Sequence, residues 1–254
     1  MIPHFLDTAK TLGNGGVYLK VETNGQAFGE KEAQVLSELP MRSLQISLDG
    51  ATQAVYSKMR PGGSLERAIS ACRTAKKFNL PLEITFAPTS LNIHEASRVM
   101  DLASSLGAFR LNTGSLMRLG TAAKLWDRLS LSCDENKNFY NLLVGKQAEF
   151  NGKMEIAFQP FSINEEIASR KGEFPAALLI LPDGKVRVSA FLPYICADLR
   201  KDDLSQAWSH YQKAYLDPRV ASGFAEILQD DRVLAKANQF ISLDGAMPNL
   251  SVMV

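Results

Sequence analysis

Strand-like and helix-like segments alternate through the first half of the chain, and this order restricts the fold more than any other feature. The strand-like segments lie at 16–25, 43–50, 80–88 and 108–116, and helical periodicity covers 29–39, 63–79 and 92–107. Alternation at these lengths is typical of successive βαβ units, in which helices join parallel strands. The first half of the chain is therefore predicted to be α/β with a parallel sheet.

Each of these strands also alternates apolar with polar residues. In LQISLD at 44–49, the three apolar side chains point one way and the three polar side chains the other. A parallel strand covered by helices on both faces reads instead as an almost continuous apolar run. The pattern predicts a partial (β/α) barrel with a polar lumen; the alternative is a sheet with one face open to water. The residues expected to point away from the helices are Lys20, Gln45, Ser47, Glu83, Thr85, Arg110 and Asn112.

The charges of the chain nearly balance. Its 254 residues include 28 lysines and arginines against 27 acidic residues, a net charge of +1. Such a balance does not attract nucleic acid or an acidic membrane, and no apolar run is long enough to span a bilayer. The first residues lack the charged and apolar regions of a signal peptide. We expect a cytoplasmic protein that binds neither nucleic acid nor membrane.

The second half of the chain follows a different pattern. Helical periodicity covers 125–150, a short strand-like segment lies at 153–158, and 174–193 reads as two strands joined at the turn PDGK. Further helices are predicted at 202–216 and after 217–218. We predict a partial barrel at 1–124 and a small α/β extension at 125–254.

Four stretches, in the same order, resemble the radical S-adenosylmethionine enzymes, specifically the branch with a C-terminal SPASM or twitch extension. They are VETNG at 21–25, LQISLDGA at 44–51 with MRPGGSLERAI at 59–69, LPLEITFAPTSLNIHEASRVMDLASSLGA at 80–108, and GSLMRLGTAA at 114–123. Downstream, ALLILPDGKVRVSA at 177–190 is similar to the twitch hairpin. The resemblance implies a part-barrel whose lumen holds S-adenosylmethionine and a substrate, which in many members is a peptide or protein.

The resemblance also implies roles for individual residues. Those implied to bind the cofactor are Thr23, Asn24, Ser47, Asp49 and Arg60, and those implied to bind the substrate are Glu83, Thr85, Asn112 and Arg118. Ligands of α/β barrels bind at the carboxyl ends of the strands, where the TNG and LDG turns lie. The alternative is conformational, because Asn-Gly and Asp-Gly turns tolerate positive φ and the two arginines can pair with nearby acids.

The chain departs from the family at the motif that defines it. Family members hold a [4Fe–4S] cluster through the three thiolates of a CxxxCxxC loop, and that cluster cleaves S-adenosylmethionine reductively. Here the only cysteines are Cys72, Cys133 and Cys196, which are too far apart for that motif. The family's GGEP stretch is absent as well. We therefore expect no cluster and no other metal site on this chain alone.

These departures leave alternatives for the function. One is a truncated enzyme, inactive alone, of a family that modifies peptides or proteins by radical chemistry. Another is a cluster-free binding or scaffold subunit for a precursor peptide or a partner enzyme. A third is a Schiff-base enzyme using Lys20 or Lys58, although Glu22 beside Lys20 would favour the charged amine. We also expect self-association, or pairing with a partner chain, through an open sheet edge at 16–22.

Overall fold

Five parallel strands form the main sheet within the part of the chain that the structure describes. The computed structural model describes residues 4–158, 167 and 177–243. In both spatial and chain order the strands are β1 (Leu19–Thr23), β2 (Met41–Ser47), β3 (Leu82–Thr85), β4 (Arg110–Thr113) and β5 (Glu155–Phe158). Each pairs in parallel with the next. The predicted α/β fold with a parallel sheet is confirmed.

Helices precede and connect these strands. They are α1 (Phe5–Asn14), α2 (Glu30–Ser37), α3 (Gln53–Met59), α4 (Leu65–Lys77), α5 (Ala96–Ser105) after a 3₁₀ turn at Ile93–Glu95, α6 (Gly120–Lys124), α7 (Trp126–Leu129) and α8 (Cys133–Glu149). Local sequence determines several helix starts. Ser64 accepts the Arg67 amide at the start of α4, and Ser132 forms a capping box with Glu135 at the start of α8.

One face of the main sheet is apolar and packs against helices. Leu44, Ile46 and Ile84 are fully buried there, and α4 contacts both β2 and β3. The residues of α4 that are buried are mostly small, including Ala68 and Ala71, so the helix lies close to the strands. Burial of each large aliphatic side chain contributes about 1.5–3 kcal/mol relative to its exposure, so this layer is the main core of the first unit.

The opposite, inner face carries polar residues in two rows across the strands. In the lower row Gln45 pairs in register with Glu83, and Glu83 with Arg110. In the upper row, nearer to the carboxyl ends of the strands, Ser47 pairs with Thr85 and Thr85 with Asn112. The partial-barrel-like fold with a polar inner face therefore agrees with the alternation in the sequence.

The strand at 155–158 is part of the main sheet and not of the C-terminal extension, where its position in the sequence had suggested it. After α8 the chain returns to β4, and Ile156 lies in register with the buried Leu111. The sequence of a four-residue strand does not show which sheet the strand joins, because pairing depends on which strand edge is free in the folded chain. By packing, the chain divides into Met1–Leu116 with Arg128–Gln159, and Met117–Asp127 with Pro160–Val254.

The second unit contains a smaller sheet. Its strands lie in the order β6 (Leu179–Ile180), β7 (Lys185–Arg187), β8 (Tyr194–Asp198) and β9 (Ile241–Ser242). β6 and β7 form the predicted hairpin, with Gly184 at a φ of 83° in its turn; residues 174–176 of that prediction lie outside the described residues. Helices α9 (Leu204–Tyr215) and α10 (Pro218–Gln229) and a 3₁₀ segment at Asp231–Lys236 complete the unit. This is the small α/β extension that the sequence predicts.

Candidate functional site

Glu83 lies at the centre of the polar inner face and is only 2% exposed. Its Oε2 accepts hydrogen bonds from Lys20 Nζ at 3.0 Å and from Asn112 Nδ2 at 2.6 Å. Burial by itself would raise the pKa of Glu83, but hydrogen bonds, first of all from Lys20, outweigh it and hold that pKa below its ordinary value. Glu83 is therefore ionised near neutral pH and acts as a hydrogen-bond acceptor.

Charged groups surround this carboxylate. Glu22 and Arg110 lie in the lower row with it, and Lys20 lies in register with Ser43, farther from the carboxyl ends of the strands. Lys20 also lies 3.8 Å from Glu22, and Arg110 lies 3.9 Å from Glu83 and 2.7 Å from Glu155. The Lys20 amine lies 3.0 Å from Glu83 and 3.8 Å from Glu22, so it is held in ion pairs with two carboxylates. Lys58 lies exposed on α3. The geometry thus gives no support to a Schiff-base site.

The two hydroxyls of the upper row have no hydrogen-bond partner in the part of the chain that the structure describes. Thr85 Oγ1 is buried and makes no hydrogen bond, and the Ser47 hydroxyl makes none to any described residue. A buried polar atom without a partner costs about 1–3 kcal/mol. That cost applies to Thr85, whereas Ser47 is only half-buried. A ligand that forms hydrogen bonds with both hydroxyls would remove the cost at Thr85, so the upper row has the character of a binding surface.

Asp49, at the end of β2, is buried and fully engaged within the protein. Its Oδ1 accepts the Ala87 amide at 2.9 Å, and its Oδ2 accepts Arg60 Nε at 2.8 Å. Asp49 and Arg60 were both expected to contact the cofactor. The structure brings them together as an ion pair that holds the loop after β2 against the segment after β3, and a direct cofactor contact stays a prediction.

Thr23 is the last residue of β1, and Asn24 begins the turn after it. Thr23 Oγ1 accepts the Gly25 amide at 3.2 Å, and Asn24 Oδ1 accepts the Gln26 amide at 3.0 Å. Gly25 has a φ of 73°, in the region that favours glycine. These bonds agree with the conformational interpretation of the turn, and the predicted cofactor contacts of both residues remain untested.

Two buried residues behind this edge have roles that were not predicted from the sequence pattern. Asn92 Nδ2 donates to the carbonyl oxygens of Asp49 and Ala87, both at 3.0 Å. Glu95 accepts hydrogen bonds from Ala51 N at 2.8 Å and from Thr52 N at 3.1 Å and Oγ1 at 2.7 Å. Both side chains therefore lock the loop that follows β2. In the sequence, the feature that could have indicated these roles is the pair of polar residues, Asn92 and Glu95, at the start of a helix in SLNIHEA.

The buried Glu95 carboxylate remains charged. Burial alone would raise the pKa of Glu95, but the hydrogen bonds from Thr52 and Ala51 hold it below its ordinary value. Its negative charge also stabilises the amino end of α3, where the first backbone N–H groups of a helix have no partner within the helix. Glu95 is therefore a buried acceptor that fixes the start of α3.

Arg118, expected to bind substrate, belongs to the second unit. Its guanidinium lies 4.4 Å from the centre of the Trp126 ring, and its Nε lies 3.3 Å from Asp231 Oδ1 without the alignment of a hydrogen bond. Pairing with a nearby acid was the alternative interpretation of this residue. A substrate contact of Arg118 stays a prediction.

The cysteines do not fit a [4Fe–4S] cluster. Cys72 is buried in α4, Cys196 is buried in β8, and Cys133 is exposed at the start of α8. Burial raises the pKa of the Cys72 thiol to about 12, which opposes the thiolate form that binds iron. Among the described residues, no three His, Cys, Asp or Glu side chains are grouped so that they could hold a metal ion.

The chain is similar in sequence to one protein superfamily and to several known enzymes. Residues 2–103 match the model of the Radical SAM superfamily. The chain is 20% identical to the AdoMet-dependent heme synthase of Methanosarcina barkeri, over 92% of this chain and 72% of that protein. It is 22% identical to the PqqA peptide cyclase of Ruegeria pomeroyi, over 81% of this chain and 57% of the cyclase.

The fold is also similar to a solved structure. SuiB of Streptococcus suis bound to S-adenosylmethionine superposes with a TM-score of 0.63 at 11% identity, over 81% of this chain and 52% of SuiB. SuiB has also been solved bound to its precursor peptide SuiA. The chain therefore spans little more than half of SuiB and of the peptide cyclase. Separately, none of the described helices is long and apolar enough to cross a membrane.

Proposed function

We propose that residues 2–103, which match the model of the Radical SAM superfamily, are a domain of that superfamily, and that the chain binds S-adenosylmethionine and a peptide or protein substrate on its polar inner face. Superfamily members use S-adenosylmethionine and a [4Fe–4S] cluster, which together supply the radical that reacts with the substrate. Because the three cysteines here do not fit that cluster, no radical step is assigned to the residues of this chain. Their role in the proposal is to bind and orient.

The observation that carries the proposal is the pair of unpartnered hydroxyls at the carboxyl ends of β2 and β3. Ligands of α/β sheets bind at this end of the strands. We assign Ser47 to the ribose hydroxyls or the methionyl ammonium of the cofactor, and Thr85, Asn112 and Glu83 to the substrate side. The residues that complete the proposed set are Thr23, Asn24, Asp49 and Arg60 at the cofactor and Arg118 at the substrate.

Relatives support two substrate classes. A peptide is favoured by the names of the PqqA peptide cyclase and of SuiB bound to its precursor peptide. A substrate of heme synthesis is the second candidate, because the heme synthase aligns with 92% of this chain and 72% of its own length. Titration with a porphyrin, followed by its absorbance, and with an unstructured peptide library, followed by anisotropy, would separate the two classes.

Calorimetric titration with S-adenosylmethionine tests the cofactor half. We expect binding by the natural chain and a loss of at least about fivefold in affinity in Ser47→Ala, the contribution of one neutral hydrogen bond. Ser70→Ala, on the exposed side of α4, is the matched control and should bind as the natural chain does. No binding of S-adenosylmethionine, together with tight binding of a peptide, would favour the cluster-free scaffold subunit instead.

The proposal extends to a partner and a location. One edge of β1 pairs with β2, and its other edge pairs with no strand in the described part of the chain. Val17 and Tyr18, just before β1, are 46% and 76% exposed. An uncovered strand edge is a template for pairing with another strand. We propose that this edge pairs with a second copy or a partner chain, and that the protein works in the cytoplasm.

A further inference from the structure

The orientation of the Asn112 side chain is determined by its neighbours. Asn112 Nδ2 lies 2.6 Å from Glu83 Oε2 and 3.1 Å from Gln45 Oε1. An ionised carboxylate can only accept hydrogen bonds, whereas the two ends of an asparagine amide are a donor and an acceptor. The end of Asn112 that faces Glu83 must therefore be the NH₂ group, and its Oδ1 is directed away from Glu83.

The exposed end of this amide belongs to the upper row. Asn112 pairs in register with Thr85, and Thr85 with Ser47. Asn112 Oδ1 accepts no hydrogen bond from a described residue, and Thr85 Oγ1 is buried without a partner. The row thus consists of two hydroxyls, which can rotate to donate or accept, and one carbonyl oxygen, which can only accept.

We infer that Glu83 is a positioning residue, which holds Asn112 with its oxygen toward the lumen so that the upper row selects a ligand group that donates a hydrogen bond. This inference rests on the proposed function, since it assumes that the ligand occupies the inner face. It adds the chemical class of the recognised group, which is an N–H or O–H donor. Two sources supply such a group: the amide N–H of a peptide and a ribose hydroxyl of the cofactor.

Pairs of small probes that differ only in the donor test the selection. N-methylacetamide and N,N-dimethylacetamide represent the peptide amide, and anhydroerythritol and its dimethyl ether represent the ribose diol. Binding is followed through the side-chain amide resonance of Asn112. We expect at least one donor probe to bind about fivefold more tightly than its methylated partner, the ratio that one neutral hydrogen bond provides. Selection within the amide pair identifies a peptide, and selection within the diol pair identifies the ribose.

The variant Glu83→Gln tests the positioning role. Glutamine offers both a donor and an acceptor, so the Asn112 amide is free to reverse, and we expect the ratio within each probe pair to fall to about one. Glu22→Gln is the matched control, because Glu22 lies in register with Gln45 in the lower row and 3.8 Å from Lys20, while the hydrogen bonds of Asn112 go to Glu83 and Gln45; it should keep the ratio of the natural chain.

A second readout needs no ligand. The strong bond to Glu83 should shift the Asn112 amide protons downfield in the natural chain and in Glu22→Gln, and not in Glu83→Gln. A normal amide shift in the natural chain overturns the orientation, and an equal ratio in the natural chain and Glu83→Gln overturns the selection. Neither measurement uses S-adenosylmethionine. A chain that does not bind S-adenosylmethionine would contradict the proposed function, and the calorimetric titration detects that outcome separately.

Discussion

Arg60 Nε donates a hydrogen bond of 2.8 Å to Asp49 Oδ2, and Arg60 Nη2 lies 2.7 Å from the same oxygen. The remaining oxygen of Asp49 accepts the amide of Ala87. One carboxylate thus joins the loop after β2, the end of α3 and the segment after β3. The stability of this edge therefore depends on a charge that is only 3% exposed.

Asp49→Asn keeps the shape of the side chain and removes its charge. We expect the free energy of unfolding to fall by about 1–3 kcal/mol. Breaking a buried ion pair typically costs about 3–5 kcal/mol, and the 31% exposure of the Arg60 side chain reduces that value through solvent screening. Urea unfolding measures the change. Glu38→Gln, at an exposed acid after α2, should change stability by less than about 0.5 kcal/mol; an equal effect of both variants would contradict the role of the pair.

Glu95→Gln places an NH₂ group among three donors. One acceptor atom cannot serve all three, so we expect a loss of about 1–3 kcal/mol at neutral pH from donors left without a partner. Urea unfolding at pH 7 measures it. A variant as stable as the natural chain would show that water or a shifted loop replaces the carboxylate.

Acid should destabilise the folded chain through the same group. The pKa values of Glu95 and Glu83 are lowered in the folded state, chiefly by hydrogen bonds that outweigh burial. Their contribution is thus fully present above the unfolded pKa of about 4.3 and is lost as pH falls through the folded pKa. Unfolding curves from neutral pH down through this range should show a shallower acid dependence in Glu95→Gln. Parallel curves would contradict the assignment.

Gly25→Ala should be strongly destabilising. An added Cβ would lie 3.2 Å from Ala68 Cα and from Ala71 Cβ, and the φ of 73° disfavours a side chain. Gly16→Ala is the matched control, because Gly16 has a φ of 84° but nothing within 4 Å of the added atom. Backbone strain alone costs about 1–2 kcal/mol, so thermal unfolding should show that loss in Gly16→Ala and a greater one in Gly25→Ala. Equal losses would mean that α4 moves to accommodate the methyl group.

Anaerobic reconstitution of this chain with iron and sulfide should yield no stoichiometric [4Fe–4S] cluster. The physical reason is the position of the three cysteines on separate elements, two of them buried, because one cluster needs several thiolates around it. Iron analysis and visible absorbance measure the outcome. A brown protein with about four irons per chain, the content of a cubane cluster, would overturn the prediction.

Association through the β1 edge should be sensitive to charge. Tyr18→Lys adds a charge beside an open strand edge, a feature that opposes edge pairing, and should lower the weight-average mass in sedimentation at micromolar concentration. Leu228→Lys, at an exposed position on α10, should leave it unchanged. A natural chain that sediments as a monomer throughout this range would exclude pairing of two copies through β1.

Much of the fold follows from local patterns. The order of strand-like and helix-like segments predicts the parallel sheet. Alternation of apolar and polar residues in LQISLD and in the other strands predicts the residues of its polar face, because successive side chains of a strand point to opposite faces whatever the strand pairs with. The capping residue Ser132 and the turn PDGK likewise act within a few residues. These features could be predicted because their causes lie within one element.

The contacts within the candidate site could not be predicted in this way. Glu83 meets Lys20 across 63 positions of sequence, and Asn112 meets Gln45 across 67. The sequence by itself determined the α/β class and which side chains share the inner face. Only the tertiary structure decided that Asp49 pairs with Arg60, that the Thr85 hydroxyl has no partner among the described residues, and that β5 pairs with β4. A hydrogen bond requires its two atoms within about 3 Å, and strand register and packing between distant segments determine which atoms come that close.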